Sequence, residues 1–217
     1  MSAIVCGVML SGCGGSGGSG RHLPSNDILG NLPDLIYQHS YQDSVFSAEQ
    51  EAAEEKFSEP FKSGQKTPTE SDWKKAKEFD DEWKAKFKEA DAKFVAEIEK
   101  LKPSLIGKEI PVEMEDGVGF EATAGKIIDV GESGFTVEVG VTITNAGAPA
   151  LSMLKYGRFD YNWQILDKEG NQIGSNGSAS SRELGKENGA TGNINLYIAI
   201  AKPQQFVNFA KIRFIKI

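Results

Sequence analysis

The clearest pattern in the chain runs from Ser71 to Leu101. No Gly or Pro occurs there, and Trp73, Ala76, Phe79, Trp83, Phe87, Ala90, Phe94, Ile98 and Leu101 step by three or four residues. At 100° per residue these positions share an arc of about 100°, which predicts one amphipathic helix about 45 Å long. Nine Lys and ten Asp or Glu between 69 and 102 fill the other face. Several stand as acid-before-base pairs four apart: Glu70–Lys74, Asp80–Lys84, Glu82–Lys86 and Glu89–Lys93. Thr69 or Ser71 caps the start, and Pro103 ends the helix. Upstream, Phe46, Gln50, Ala53 and Phe57 also keep helical spacing, and Ser47 with Gln50 fits a capping box. A second helix is therefore expected in the acidic stretch 43–59, broken by Pro60, Gly64 and Pro68. Residues 21–42, with Pro24, Gly30 and Pro33, read as irregular.

Past Pro103 the period changes to two. Glu109–Glu115 and Phe120–Val130 read as strands around a turn at Gly117–Gly119. Phe135, Val137, Val139, Val141 and Ile143 alternate without a miss. Phe159, Tyr161, Trp163 and Ile165 alternate against Asp160, Asn162 and Gln164, and Asp167-Lys168-Glu169-Gly170 is a tight turn. Gln172–Gly174 pairs back, Ile194, Leu196, Ile198 and Ile200 form a further strand, and Phe206–Ile217 closes the chain. About seven strands with no helix between them argue for an antiparallel sandwich. The Gly-, Ser- and Asn-rich stretch 171–193 reads as a mobile hairpin, with a glycan-binding loop as the alternative.

The chain has 217 residues, 24 Lys plus Arg against 31 Asp plus Glu, and a net charge of −7. Phosphate neutralisation needs clustered cations, so nucleic acid is not an expected partner. Two Cys and two His exclude a zinc ribbon, a Cys–His finger or a disulfide scaffold. His22 and His39 belong to no Cys/His cluster or H-x-x-x-H pattern, so no metal site and no cofactor is expected. Carboxylates are plentiful, but no facing pair, G-x-S-x-G, P-loop or dinucleotide fingerprint stands out; the chain does not read as an enzyme. No apolar run reaches the roughly 18–20 residues that span a bilayer.

The first twelve residues carry no charge, and the apolar run Ala3–Leu10 has the length of a secretory h-region. It ends in Leu10-Ser11-Gly12-Cys13, followed by the Gly/Ser tract 14–20. This resembles the lipobox of bacterial lipoproteins. The resemblance implies cleavage before Cys13, acylation of Cys13, and anchoring to a bacterial membrane at its periplasmic face or at the cell surface. The family's basic n-region is missing, since the first basic residue is Arg21; a start codon set several residues too late or a shortened chain accounts for this departure. From Phe135 to Ile217 the strand ending Ile143-Thr144-Asn145, the aromatic strand 159–165 and Asp167-x-x-Gly170 resemble the immunoglobulin-like domains of such lipoproteins.

The expected class is α+β: a signal peptide at 1–12, a lipidated Cys, Gly/Ser tether and irregular segment at 13–42, a helical region with one long amphipathic helix at 43–102, and an antiparallel immunoglobulin-like β-sandwich at 104–217. The expected role is non-enzymatic, with the sandwich binding a protein or glycan partner. The alternative is a structural or assembly accessory using the long helix as spacer or oligomerisation element, and an envelope hydrolase stands third. The helix stripe packs intramolecularly or offers a partner surface at Trp73, Phe79, Trp83, Phe87 and Phe94. If the lipobox is processed, the protein made with a complete n-region partitions into the detergent phase, and Cys13→Ala moves it to the aqueous phase. A Cys13→Ala protein that stays with membranes contradicts a lipid anchor.

Overall fold

The structure is a computed structural model describing residues 21–216, so Cys13 and the tether lie outside the described residues. Two long helices come first: α1, Leu32–Lys62, and α2, Glu70–Leu105. At 1.5 Å per residue they are about 46 and 54 Å long. They form an antiparallel hairpin, with Phe46 of α1 set edge-on to Trp83 and Phe87 of α2 at 6.4 and 5.7 Å between ring centroids. Both helices extend further than expected. α1 begins within the stretch read as irregular, because Pro33 pre-sets the first turn and Leu32, Pro33 and Ile36 are buried. Ser47 and Gln50 are therefore interior to α1 and start nothing. α2 passes through Pro103 for two more residues because Leu105 is fully buried. Asp80–Lys84 and Glu89–Lys93 pair as expected, at 2.6 and 2.7 Å. Lys86 instead lies over the Trp83 ring at 3.9 Å, and Lys74 faces Glu78 at 3.8 Å.

The rest of the chain makes two sheets, giving a mixed α+β structure rich in antiparallel pairing. The strands are β1 Glu109–Ile110, β2 Val112–Met114, β3 Phe120–Ala122, β4 Gly125–Gly131, β5 Gly134–Ile143, β6 Phe159–Asp167, β7 Gly177–Ser181, β8 Thr191–Ala199 and β9 Phe209–Ile215, with a short helix α3 at Pro203–Phe206. In the first sheet β3 and β4 lie end to end along one side of β5, β8 lies along its other side, and β1 pairs with β4. The second sheet has the order β2-β9-β6-β7, and β2 runs parallel to β9. The expected single strand 109–115 is thus split: Pro111 lacks the N–H that would continue one ladder, and the chain changes sheets there. Glu113 holds the parallel pair together, accepting from Lys211 at 2.5 Å and from Arg213 at 2.8 Å. β7 occupies part of the stretch read as a mobile hairpin and pairs with β6 over five residues.

The sheets share one core. Phe120 of β3 meets Phe159 of β6 at 5.0 Å and Phe214 of β9 at 5.2 Å, and Phe135 of β5 meets Phe209 of β9 at 5.6 Å. Leu29, Leu32, Ile36, Phe94, Ile98 and Leu105 belong to the same cluster. The helical hairpin is therefore rooted in the core of the sheets at one end, and its other end extends beyond it.

Asn26 ties this root. It is 5% exposed, its Nδ2 donates to the carbonyls of Val207 and Phe209 at 3.0 and 2.8 Å, and its Oδ1 accepts from the N–H groups of Ile28 and Leu29 at 2.9 and 2.8 Å. Gly30 closes the same turn with φ +56°, a conformation that penalises a side chain. Just outside, Lys168 reaches Asp27 at 2.6 Å. Asn26→Ala strands two donors and two acceptors and is expected to cost about 3 kcal/mol in urea melts, since each buried group left unpaired costs about 1–3 kcal/mol. Asn26→Asp keeps the acceptor but loses the donor, so it also destabilises. An Asn26→Ala protein as stable as the wild type places the root elsewhere.

Candidate functional site

Among the described residues, three places are of interest for function. The first is the arm formed by the hairpin. Of the five stripe residues, Trp83 and Phe94 are buried, at 6% and 7% exposure, while Trp73 is 67% exposed. Phe79 and Phe87 are half-buried. Near the tip, Phe57 and Phe61 of α1 and Trp73, Ala76 and Phe79 of α2 line an apolar groove of about 380 Å³, rimmed by Glu54, Asp72 and Asp80. The stripe is thus covered towards the root and open towards the tip.

Asp72 fixes the start of α2 at that tip. Its carboxylate accepts from Lys66 Nζ at 2.6 Å, from Thr69 Oγ1 at 2.6 Å and from the Thr69 N–H at 3.0 Å. The Lys66 ammonium, and after it the Thr69 hydroxyl and N–H, hold the Asp72 carboxyl well below the usual carboxylate range.

The second place is a cleft of about 360 Å³ between the sheets, where the edge strands β7 and β8 face each other and α3 closes one end. Tyr197 supplies exposed aromatic surface, Trp163 and Phe206 back the cleft from buried positions, and Gln172, Asn176 and Gln205 supply amides. Gly177 is required here: a Cβ on it would lie 2.0 Å from the Trp163 ring, so only Gly lets the indole cross β7. Gln172 Nε2 donates to Asn176 Oδ1 at 2.8 Å and to the Gly174 carbonyl at 3.2 Å, and its Oε1 accepts from Gln164 at 3.1 Å. Gln205 Oε1 accepts from the Gly174 N–H at 3.1 Å. Tyr197 Oη shares a hydrogen bond with Ser133 Oγ at 2.7 Å. These bonds orient the amides while Asn176 Nδ2 and Gln205 Nε2 keep no partner among the described residues. The lining has no carboxylate, His or Cys among the described residues; its titratable side chains are Lys202 and Tyr197, and it offers a ligand hydrogen bonds and an aromatic ring.

The third place is His39, Asp43 and Asp91, whose ligand atoms lie within 4.8 Å of one another. Among the described residues this is the group whose side chains could hold a metal ion. The sequence weighed His39 only with His22 and pointed to no metal site; the signal available was His39 and Asp43 four apart, and Asp91 joins them only through the register of the hairpin. Gln172 and Asn176 fall within the stretch 171–193 weighed as a glycan-binding loop, whereas Gln205 was not singled out, because the cleft draws it from a separate segment.

No helix among the described residues is long and apolar enough to cross a membrane. Comparison of the chain with protein-family profiles, with curated proteins and with solved structures finds no match.

For the tip, the sign of the Asp72 effect is definite. A folded pKa below the unfolded value stabilises above about pH 4, the ordinary Asp range, and this is lost as pH falls further. Acid titration of the wild type is expected to loosen the start of α2, seen in the fluorescence of the adjacent Trp73. Asp72→Asn abolishes that step while raising mobility at neutral pH; an unchanged acid transition in Asp72→Asn contradicts the assignment.

Proposed function

We propose that the protein is a non-enzymatic binding protein of the bacterial cell envelope, held to a membrane by lipid on Cys13, whose paired sheets are an immunoglobulin-like sandwich that binds a glycan between β7 and β8. The observation that carries this reading is the lining of the cleft: the exposed Tyr197 ring beside oriented amides. A sugar presents apolar C–H faces that stack on aromatic rings, and hydroxyls that both donate and accept, which matches amide side chains. The cleft volume lies in the range of small-molecule sites. The immunoglobulin-like reading is supported by the path of the chain: β5 to β6 crosses between sheets, β6 and β7 form a hairpin, β7 to β8 crosses back, and β8 to β9 crosses again, as in a Greek key. The lipid reading is supported by Leu10-Ser11-Gly12-Cys13 and the Gly/Ser tract 14–20 that follows it.

One observation favours a second reading, an assembly accessory that uses the hairpin as spacer or oligomerisation element: Trp73 is 67% exposed beside an apolar groove.

Titrating soluble protein from residue 14 onward with envelope polysaccharides and their oligosaccharide fragments separates the two. Glycan binding is expected, and Tyr197→Ala and Gln172→Ala should each weaken it by about tenfold, or 1.4 kcal/mol. Wild type that binds none of them below about 1 mM but self-associates in sedimentation, with Trp73→Ala restoring the monomer, moves the function to the arm.

A further inference from the structure

We propose that His39, Asp43 and Asp91 form a zinc site that clamps α1 to α2 where the hairpin leaves the sheets. His39 and Asp43 stand one turn apart on α1, and Asp91 faces them from α2. His39 Nε2 lies 3.5 Å from Asp43 Oδ2 and 3.5 Å from Asp91 Oδ1. Zinc binds imidazole N and carboxylate O at about 2.0–2.2 Å in tetrahedral geometry, which sets neighbouring ligand atoms about 3.4 Å apart. The two spacings from His39 Nε2 match the edge of such a tetrahedron, and all three ligand atoms lie within 4.8 Å of one another.

The same spacing is too long for a direct charge-assisted hydrogen bond, which closes to about 2.7–2.9 Å. This protein supplies its own comparison: His22 Nδ1 meets Asp34 Oδ2 at 2.8 Å. Two other atoms of these residues, His39 Nδ1 and Asp43 Oδ1, are buried with no protein partner among the described residues; Nδ1 lies across the ring from the Nε2 that faces both carboxylates. The imidazole is also held in place. It stacks on Phe94 with centroids 4.1 Å apart and planes 9° from parallel. One nitrogen with two carboxylates suits zinc, whereas calcium takes six to eight oxygens. The Asp91 side chain is 61% exposed and the Asp43 side chain 40%, which leaves an entry path and a fourth position for water.

The position gives the site a purpose. Ile36, Phe94 and Ile98, on the root side, belong to the shared core, while Phe46, Trp83 and Phe87, on the tip side, touch only one another and Phe79 among the ring contacts. An ion between them pins the helices together at the boundary and sets the stiffness of the arm. This is independent of what the cleft between β7 and β8 binds.

The test is calorimetric titration of chelator-treated protein from residue 14 onward with Zn2+, with Ca2+ and Mg2+ as comparisons. One Zn2+ per chain is expected at micromolar Kd or tighter, with little response to Ca2+ or Mg2+, and the melting temperature should rise with Zn2+. His39→Phe keeps the stacking on Phe94 and removes the ligand. Asp91→Asn changes an exposed side chain and should leave the metal-free fold intact, as circular dichroism can verify. Each should weaken zinc binding by more than about a hundredfold, beyond the 10–100-fold typical of changes outside the ligand set, and should abolish the thermal shift. His22→Ala should change neither. Zinc uptake that is absent below about 1 mM, equal in Asp91→Asn and wild type, or lost in His22→Ala overturns the proposal.

Discussion

The Asn26 side chain joins the two ends of the chain. Its amide lies between the turn that launches α1 and the carbonyls just before and at the start of β9, more than 180 residues away. Its side chain donates twice and accepts twice, and its own N–H and carbonyl pair with Gly30, in a place where an unpaired polar group is costly and a satisfied one is specific. This fixes where Leu29 and Leu32 enter the cluster shared with the sheets, and thereby where α1 begins. The direction of a helix about 46 Å long is set by its first turn, so a small polar knot governs the placement of the arm, and with it the placement of α2 and the tip.

The sheets depend on that knot in return. β9 is the strand that β2 and β6 both pair with, and Phe209 and Phe214 on it meet rings from the opposite sheet. Holding the start of β9 against the N-terminal turn also orients α3, which immediately precedes it and closes the cleft between β7 and β8 with Gln205 and Phe206. Root and cleft are thus neighbours along the last strand, although nothing in their chemistry is shared.

What was legible in the sequence follows from where one residue's partners lie. The α2 stripe was plain because one face of that helix meets apolar surface along its length, from Trp83 to Leu105. α1 was legible only from Phe46 to Phe57, because its first turns face the sheets and its later turns face α2. No single stripe spans both, and Gln38, His39 and Ser40 interrupt the period. Pro33 at its start was the available signal. The long alternating strands β5, β6 and β8 were read correctly because each buries one face. β7 was not, since Gly177-Ser178-Ala179-Ser180-Ser181 has no apolar alternation and pairs as an edge strand. The candidate sites were the least legible. The cleft gathers residues 163, 172–177, 197 and 205, and the trio on the hairpin needs the register between two helices; neither is a local property.

The arm poses a separate physical problem. Two helices packed on each other bury one stripe apiece, and helices of this kind draw most of their stability from tertiary packing rather than from propensity. The root supplies that packing as far as Ile36 and Phe94. At the far end the Asp72 cluster fixes the start of α2, but the groove beside it leaves Trp73 in solvent. Between these lies the stretch from His39 to Phe57, where α1 is at most half-buried. Surface ion pairs such as Asp80–Lys84 contribute little in water and sit on α2 alone, so they do not join the helices. The contacts that do cross are aromatic, Phe46 on Trp83 and Phe87, and the His39, Asp43 and Asp91 group is the polar feature placed to reinforce them. A hairpin held firmly at its base, capped at its tip and joined by few crossing contacts between will bend in that middle stretch first, so whatever fastens it there decides how rigidly the tip is presented.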